Sequence, residues 1–309
     1  YRIQLHKKKQ DPIQKTEEVV EFLKGFEYSP SAIDLYFKCG HAYYYQYVLN
    51  LKPSEGLSED IETNIIGSIV HQVLKNFFEP FKGKRIKIRA GFEISLDKEI
   101  KKIAEQNFGK PLRGKYYLLY YQIKKHLIDY IRFEQYRSDK TDIIIEDLEI
   151  EKRCQWHGFI LRGKIDRIDK IGNTYLIMDY KTGSSGRSKI RFDKLSLTDR
   201  TTWEKVIPSF QLPIYMILFL ESENLDLSSV NASYIDLSQQ NFKVDINETI
   251  NYIFEETGQA CYDNFNIIKE IILEVLKEIA SPEKPFIATN DTNKCKYCNF
   301  QYICGIRIK

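Results

Sequence analysis

Apolar positions along the chain follow two periods, and the change between them divides it. From residue 12 to residue 138 apolar residues recur mostly at three- and four-residue spacing, that of one helix face. Four segments carry this pattern: "IQKTEEVVEFL", "SPSAIDLYFKCGHAYYYQYVLNL" behind a Ser29-Pro30 start signal, "IETNIIGSIVHQVLKNFF" and "YYLLYYQIKKHLIDYIRFEQY". Between residues 142 and 181 the period shortens to two. There "DIIIEDLEIEKRCQW", "GFILRGKIDRID" and "TYLIMDYK" are β-branched, alternating and separated by "HG" and "KIGN", which predicts three successive strands. Helix returns at "FQLPIYMILFLES" and a strand at "VNASYIDLS". A long helix is predicted over "NETINYIFEETGQACYDNFNIIKEIILEVLKEIA", stopped by "SPEKPF". Helical block, strands, helix, strand, helix: the order predicts an α/β core with helical additions. The aromatics of the helical segments recur at helical spacing and read as packing.

Composition narrows the class. Hydrophobic residues at 43% and charged residues at 29% describe a globular chain. No apolar run approaches the roughly 20 residues of a membrane span, and "YRIQLHKKKQ" lacks the apolar core of a secretory signal, so a cytoplasmic location is expected. A first residue of Tyr1 rather than Met suggests a piece of something longer. The net charge of +3 is too small to argue for a polyanion partner, so such a site must come from local clustering. "FKGKRIKIR" concentrates Lys82, Lys84, Arg85, Lys87 and Arg89, and "GSSGRSKIRFDK" carries Arg187, Lys189, Arg191 and Lys194. For either cluster alone, a solvated surface and a polyanion site are equally good readings.

Two groups of residues carry chemistry. In "IMDYKTG", strand alternation puts Asp179 and Lys181 on one face with Ile177, and Met178 and Tyr180 on the other. Asp166, in the preceding strand, is close enough in sequence for both carboxylates to reach one site. Carboxylates so placed repel unless a divalent cation lies between them, and oxygen-rich sites of this kind select magnesium or manganese. A neighbouring lysine can then orient water and stabilise charge on a phosphate oxygen. On this dipeptide pattern alone, an exposed strand with solvated Asp and Lys is the more ordinary reading. The second group is "CKYCNFQYIC", whose Cys295, Cys298 and Cys304 are three of six cysteines. A disulfide framework is not expected in a chain of this length in a reducing compartment. Thiolates in fours hold zinc or an iron-sulfur cluster, and Cys154 and Cys261 read as structural thiols.

"GKIDRID" followed by "IMDYKTG" resembles motifs II and III of the PD-(D/E)XK nuclease superfamily, in the branch that contains the RecB and AddB nuclease domains. "GSIVHQVL" resembles the helical motif I of that branch, whose histidine helps hold a metal, and this points to His71. "FQLPIYMIL" resembles its Q-x-x-x-Y helix, with Gln211 and Tyr215 on one face. Ile165, not proline, precedes Asp166, as is common in this branch. The resemblance implies a core sheet flanked by helices. It implies one or two magnesium or manganese ions held by His71, Asp166, Asp179 and the Tyr180 carbonyl, with Lys181 positioning the water for in-line attack at phosphorus. Gln211 and Tyr215 would support the site, and Arg187, Lys189 and Arg191 would contact DNA.

The same resemblance addresses the fourth thiol. "SPSAIDLYFKCGHAYYY" is similar to the family segment in which iron-sulfur members keep their first cysteine, which points to Cys39 joined to Cys295, Cys298 and Cys304 in a four-iron cluster, with zinc as the alternative. Gly40 stands where proline is usual, which is expected to loosen the turn. The implied organisation is an N-terminal helical extension (1–28) and a nuclease domain (29–309), made of a helical portion (29–140), a catalytic core (141–280) and a cysteine tail (281–309). The implied activity is metal-dependent cleavage of DNA, with single-stranded ends as substrate, beside a helicase-nuclease partner subunit in double-strand-break repair. The alternatives are a free-standing nuclease of the CRISPR-adaptation kind, a non-cleaving DNA-binding scaffold, and a zinc-stapled interaction domain. None of these readings places the chain in a membrane.

Overall fold

The computed structural model describes residues 10–52, 59–183, 190–238, 242, 250–254, 259–296 and 298–305. In chain order the elements are α1 (Glu17–Lys24), β1 (Glu27–Tyr28), α2 (Pro30–Lys38), α3 (Gly40–Tyr43) continued by a π-helical turn at Tyr44–Val48, α4 (Glu59–Phe78), α5 (Phe92–Phe108) and α6 (Lys115–Lys140). There follow β2 (Ile143–Trp156), β3 (Phe159–Ile171), β4 (Thr174–Lys181), α7 (Arg200–Val206), α8 (Gln211–Glu223), β5 (Val230–Asp236), β6 (Asn251–Tyr252), α9 (Gln259–Ala280) and α10 (Thr292–Lys296). The protein is a mixed α/β fold with a central sheet flanked by helices, as the sequence predicts. Among the described residues no helix is long and apolar enough to cross a membrane.

The sheet grows from one hairpin. His157 and Gly158, with φ of 47° and 84°, form a two-residue turn whose left-handed residues match the twist of the flanking strands. That turn fixes the antiparallel register of β2 and β3 from Trp156 opposite Phe159 back to Leu148 opposite Arg167. On its other side β3 pairs with β1 near Ile160 and with β4 from Arg167 onward. β4 pairs in parallel with β5, and α7 and α8 lie in the crossover between them. A parallel pair needs both faces covered. Ile177 accordingly packs in the layer of α2, α8 and α9, whereas Leu176, Met178 and Tyr180 pack in the layer of α4, α5 and α6.

Two contacts hold these layers at fixed spacing. A Cβ on Gly163 would lie 2.9 Å from both Leu218 Cδ1 and Tyr215 Cε1, so the absence of a side chain lets α8 lie close against β3. On the opposite face Glu134 and Arg137 of α6 meet Arg167 and Asp169 of β3, each no more than 2% exposed. Arg137 reaches Glu134 at 2.7 Å and Asp169 at 2.5 Å, and Arg167 reaches both acids at 2.7 Å. Two positive and two negative charges cancel, and charged donors meet charged acceptors with no water between.

The structure corrects two predicted helices. The segment from Ser29 to Leu51 is interrupted at Cys39, whose φ of −166° and ψ of 114° are extended. The cause is the C-terminal tail: Gly40 N–H donates to the Ile287 carbonyl at 2.9 Å, and a Cβ there would lie 2.7 Å from Ile287 N. Gly40 therefore tightens this crossing rather than loosening it. Proline would lack the donor and carry atoms where the tail passes. The long C-terminal helix begins only at Gln259, because Tyr252 pairs with Ser233 and extends the sheet. α5, with a narrow stripe of Phe92, Leu96, Ile100 and Ile103 among charges, and the short α7 are additions to the predicted set.

Removing one member of the buried charge quartet leaves its partners unpaired in a dry environment. Arg137→Ala is expected to cost about 3–5 kcal/mol of folding stability, read as the shift of the urea midpoint. A loss below about 1 kcal/mol would show that water or repacking satisfies the remaining charges.

Candidate active site

β3 and β4 part beyond the Arg167–Met178 pair. Asp166 fills the place of the missing ladder partner, its Oδ2 accepting the Tyr180 N–H at 2.7 Å. On β2, Leu148 pairs with Arg167 and Ile150 with Ile165, which leaves Glu149 facing Asp166. Residues two apart on a regular strand share a face. Here they do not: Ile150 and Ile165 pack in one core layer, Leu148 packs in the other, and Arg167 sits over the Phe78 ring of that second layer. The pleat reverses between them. Glu149, at a φ of 50°, adopts the left-handed conformation that this reversal requires of β2. The two acids thereby turn toward one place.

That place is a cavity of about 410 Å³ lined by His71 of α4, Glu149, Lys164, Asp166, Asp179, Tyr180 and Lys181 of the strands, and Gln211 and Tyr215 of α8. His71 Nδ1 lies 3.3 Å from both Glu149 Oε1 and Asp166 Oδ1. One ligand atom from each of these three residues lies within 4.8 Å of the other two, as a single cation would need. Lys164 pairs with Glu149 at 2.6 Å. Across the cavity, Gln211 joins the remaining groups: its Oε1 accepts from Lys181 Nζ at 2.7 Å, and its Nε2 donates to Asp179 Oδ1 at 2.7 Å and to the Tyr215 hydroxyl at 2.9 Å. Asp179 Oδ2 is buried and lies 2.6 Å from Lys181 Nζ, an ion pair whose approach is off the hydrogen-bonding direction.

The charges respond to this crowding. Burial opposes ionisation of Asp179, and the Asp166 charge adds to it. Together they outweigh Lys181 and His71 and push its pKa up to about 7. Burial also opposes a charge on His71, but the Asp166 and Glu149 carboxylates outweigh it and lift the imidazole to about 10. In the metal-free protein a proton thus occupies the position between two acids.

The α8 end of the site is set from α2. Phe210 N–H donates to Asp34 Oδ1 at 2.8 Å, so a half-buried carboxylate anchors the chain where α8 begins, next to Gln211. The Tyr180 ring lies in the opposite layer, where the Tyr130 hydroxyl donates to its hydroxyl at 3.3 Å. Arg191 is not part of the cavity: its guanidinium donates to the Lys205 carbonyl at 2.9 Å. Arg187 and Lys189 lie outside the described residues. Sequence reasoning missed Glu149 and Lys164. The signal was available, since a two-residue "HG" turn puts Trp156 opposite Phe159 and, counting outward, Glu149 opposite Asp166.

A second cavity, of about 650 Å³, is lined by all four of Cys39, Cys295, Cys298 and Cys304. The chain's ends are brought there by reciprocal bonds between Ile13 and Phe286, each 2.9 Å. Thr289 N–H points at Cys39 Sγ at 3.5 Å, and Gln10 Nε2 donates to the Cys304 carbonyl at 2.8 Å. Burial raises the Cys304 thiol to about 11, and the other three cysteines add to the effect.

The imidazole proton gives a direct readout of the acidic cluster. In metal-free protein, nitrogen-detected NMR should show His71 protonated through neutral pH and titrating near 10. Its folded pKa lies above the usual 6.5, so its charge stabilises the fold fully below pH 6.5, and that contribution is lost as pH rises through about 10. Glu149→Gln should lower this pKa by about 1 unit or more. An unchanged pKa would remove Glu149 from the cluster.

The chain is 28% identical over 222 residues to the B-type subunit of an ATP-dependent helicase/deoxyribonuclease of Clostridium acetobutylicum, covering 64% of this chain and 18% of that protein. It is 25% identical over 270 residues to the protein of the same name from Carboxydothermus hydrogenoformans, covering 80% of this chain and 23% of that one. The chain thus spans about a fifth of the relatives it matches. A profile of the PD-(D/E)XK nuclease superfamily matches residues 27–305, nearly the whole chain, and the chain belongs to that superfamily.

Proposed function

We propose that this is the nuclease domain of a longer helicase-nuclease subunit, one that hydrolyses DNA phosphodiesters with divalent metal. The observation that carries the reading is the Gln211 amide, which bonds Asp179 and Lys181 at once and so holds an acid and a lysine side by side on the wall of the cavity that His71 and Asp166 also line. The donors suit magnesium or manganese: His71, Glu149 and Asp166 each bring a ligand atom within 4.8 Å of the other two, and Asp179 and Tyr180, whose carboxylate and carbonyl would complete the set, line the same cavity. A bound ion would supply Lewis-acid activation at the phosphate. Lys181 Nζ, kept extended by Gln211 and Asp179, orients the attacking water and donates to a phosphate oxygen. Tyr215 keeps the Gln211 amide from rotating. DNA as substrate and a partner subunit are supported by the names of the relatives; single-stranded ends and a role in double-strand-break repair in the cytoplasm rest on the motif resemblance in the sequence and complete the proposal.

Cys39, Cys295, Cys298 and Cys304 would hold a four-iron cluster. Burial and the neighbouring cysteines hold the Cys298 and Cys304 thiols above the usual range, and a metal centre would offset that by taking their charge. Its role would be to tie the tail to the end of α2, and so to brace Asp34 and α8 behind the site.

With magnesium or manganese, Lys181→Ala and Asp179→Ala are each expected to lower cleavage of labelled single-stranded DNA at least about 1,000-fold while binding, read by anisotropy, changes no more than about threefold. Undiminished cleavage by Lys181→Ala would remove the mechanism. Anaerobically purified protein should be brown and contain about four irons and four sulfides per chain. Cys39→Ser should lose the colour and lower the melting temperature. Stoichiometric zinc in colourless protein would assign the thiols to zinc instead.

A further inference from the structure

The basic run from Lys82 to Arg89 is not a single surface. Gly83 and Ile86 donate their N–H groups to the Ile145 and Ile143 carbonyls at 2.8 and 2.9 Å, which lays the segment along the start of β2. Lys82 is neutralised by Asp147 and Arg85 by Asp142. Ile86 and Ile88 turn into the core, and alternation turns Lys87 and Arg89 outward, where neither is ion-paired among the described residues. These two cations lie on a cavity of about 780 Å³ walled by Phe77 and Phe81. The one acid on its lining, Glu99, is engaged by Asn76 at 2.7 Å and Lys102 at 3.4 Å.

α4 joins this cavity to the catalytic one. His71, Gln72 and Lys75 line the first cavity, and Asn76 and Phe77 line the second. Gln72 Nε2 donates to Asn76 Oδ1 at 2.8 Å across the boundary. From His71 to Phe77 the helix rises about 9 Å at 1.5 Å per residue, a span of two to three nucleotides at about 3.4 Å each.

We propose that the Phe77/Phe81 cavity is a subsite for single-stranded DNA, reached by the strand that runs along α4 from the catalytic cavity. Lys75, Lys87 and Arg89 take backbone phosphates, and one unstacked base lies against Phe77 and Phe81. Cations along a track with aromatic faces beside it are what single strands need, because phosphates supply charge and every base has a face to stack. A base inside a duplex has both faces covered by its stacked neighbours, so the subsite selects single strand over duplex. The inference rests on the nuclease reading, which names the strand and its starting point.

The test uses the full chain carrying Asp179→Ala, with fluorescein-labelled oligothymidylate of 12 nucleotides measured by anisotropy from 50 to 200 mM KCl. Adding Lys87→Ala and Arg89→Ala should weaken binding about tenfold or more and flatten the slope of log affinity against log salt by about 1.4, which is two phosphates at about 0.7 each. Adding Phe81→Ala instead should weaken binding about fivefold or more with the slope unchanged. In the otherwise wild-type protein, Lys87→Ala with Arg89→Ala should leave hydrolysis of the p-nitrophenyl ester of thymidine 5′-phosphate unchanged, because that substrate fills only the catalytic cavity. Equal affinity and equal slope with and without the added substitutions overturn the subsite and leave the nuclease reading intact. Binding of a polyglutamate peptide, but not the oligonucleotide, that depends on Lys87 and Arg89 overturns it in favour of an acidic protein partner. If the wild type cleaves neither DNA nor the ester and binds no oligonucleotide, the nuclease reading falls and the subsite falls with it.

Discussion

The constraint on which the rest of the structure depends is the pleat reversal at Glu149 and Asp166. A regular β2–β3 hairpin would send alternate residues into two apolar layers and have no direction left for a carboxylate. By breaking alternation where Glu149 turns left-handed, the hairpin frees two opposed acids to face the gap beside β4. The same reversal puts Arg167 on the side of α6, where the buried quartet fixes it. Immediately before it, Gly163 lies on the side of α8 and lets that helix approach. One short stretch of β3 thus places a helix, an acid and an ion network on different sides of one strand.

The site is then assembled from both helical layers. α4 contributes His71 from one side and α8 contributes Gln211 from the other, so the cavity holds its geometry only while both layers keep their distance from the sheet. Asp34 links the α8 end to α2, and Gly40, immediately beyond α2, is crossed by the C-terminal tail. The cysteine cavity stands at the far end of that chain of contacts. Stability there is connected to the site through packed backbone rather than through shared charge.

Much of this is legible in the sequence, and the parts that are not have physical reasons. Period-two alternation marks β2, β3 and β4, and it separates Ile177 from Met178 and Tyr180 as the two core layers do. It cannot show the reversal at Glu149, because a left-handed glutamate has no signature of its own. Cys39 sits inside an unbroken helical pattern, and only the tail, remote in sequence, explains why the helix stops there. Tyr252 reads as helix because its pairing partner, Ser233, lies beyond any local window. Local periodicity reports which face is apolar. It does not report a partner that arrives from elsewhere to take the backbone's hydrogen bonds.

In the proposed mechanism the reversed pleat makes Asp166 the shared member of an acidic cluster that would hold a divalent ion opposite Lys181. Crystals soaked in manganese, with anomalous scattering recorded at the metal edge, test it most directly. A peak is expected about 2.0–2.4 Å from a His71 nitrogen and from oxygens of Asp166 and Asp179. Ordered side chains with no peak among them, or a peak that excludes Asp166 in crystals of protein active with manganese, would contradict it.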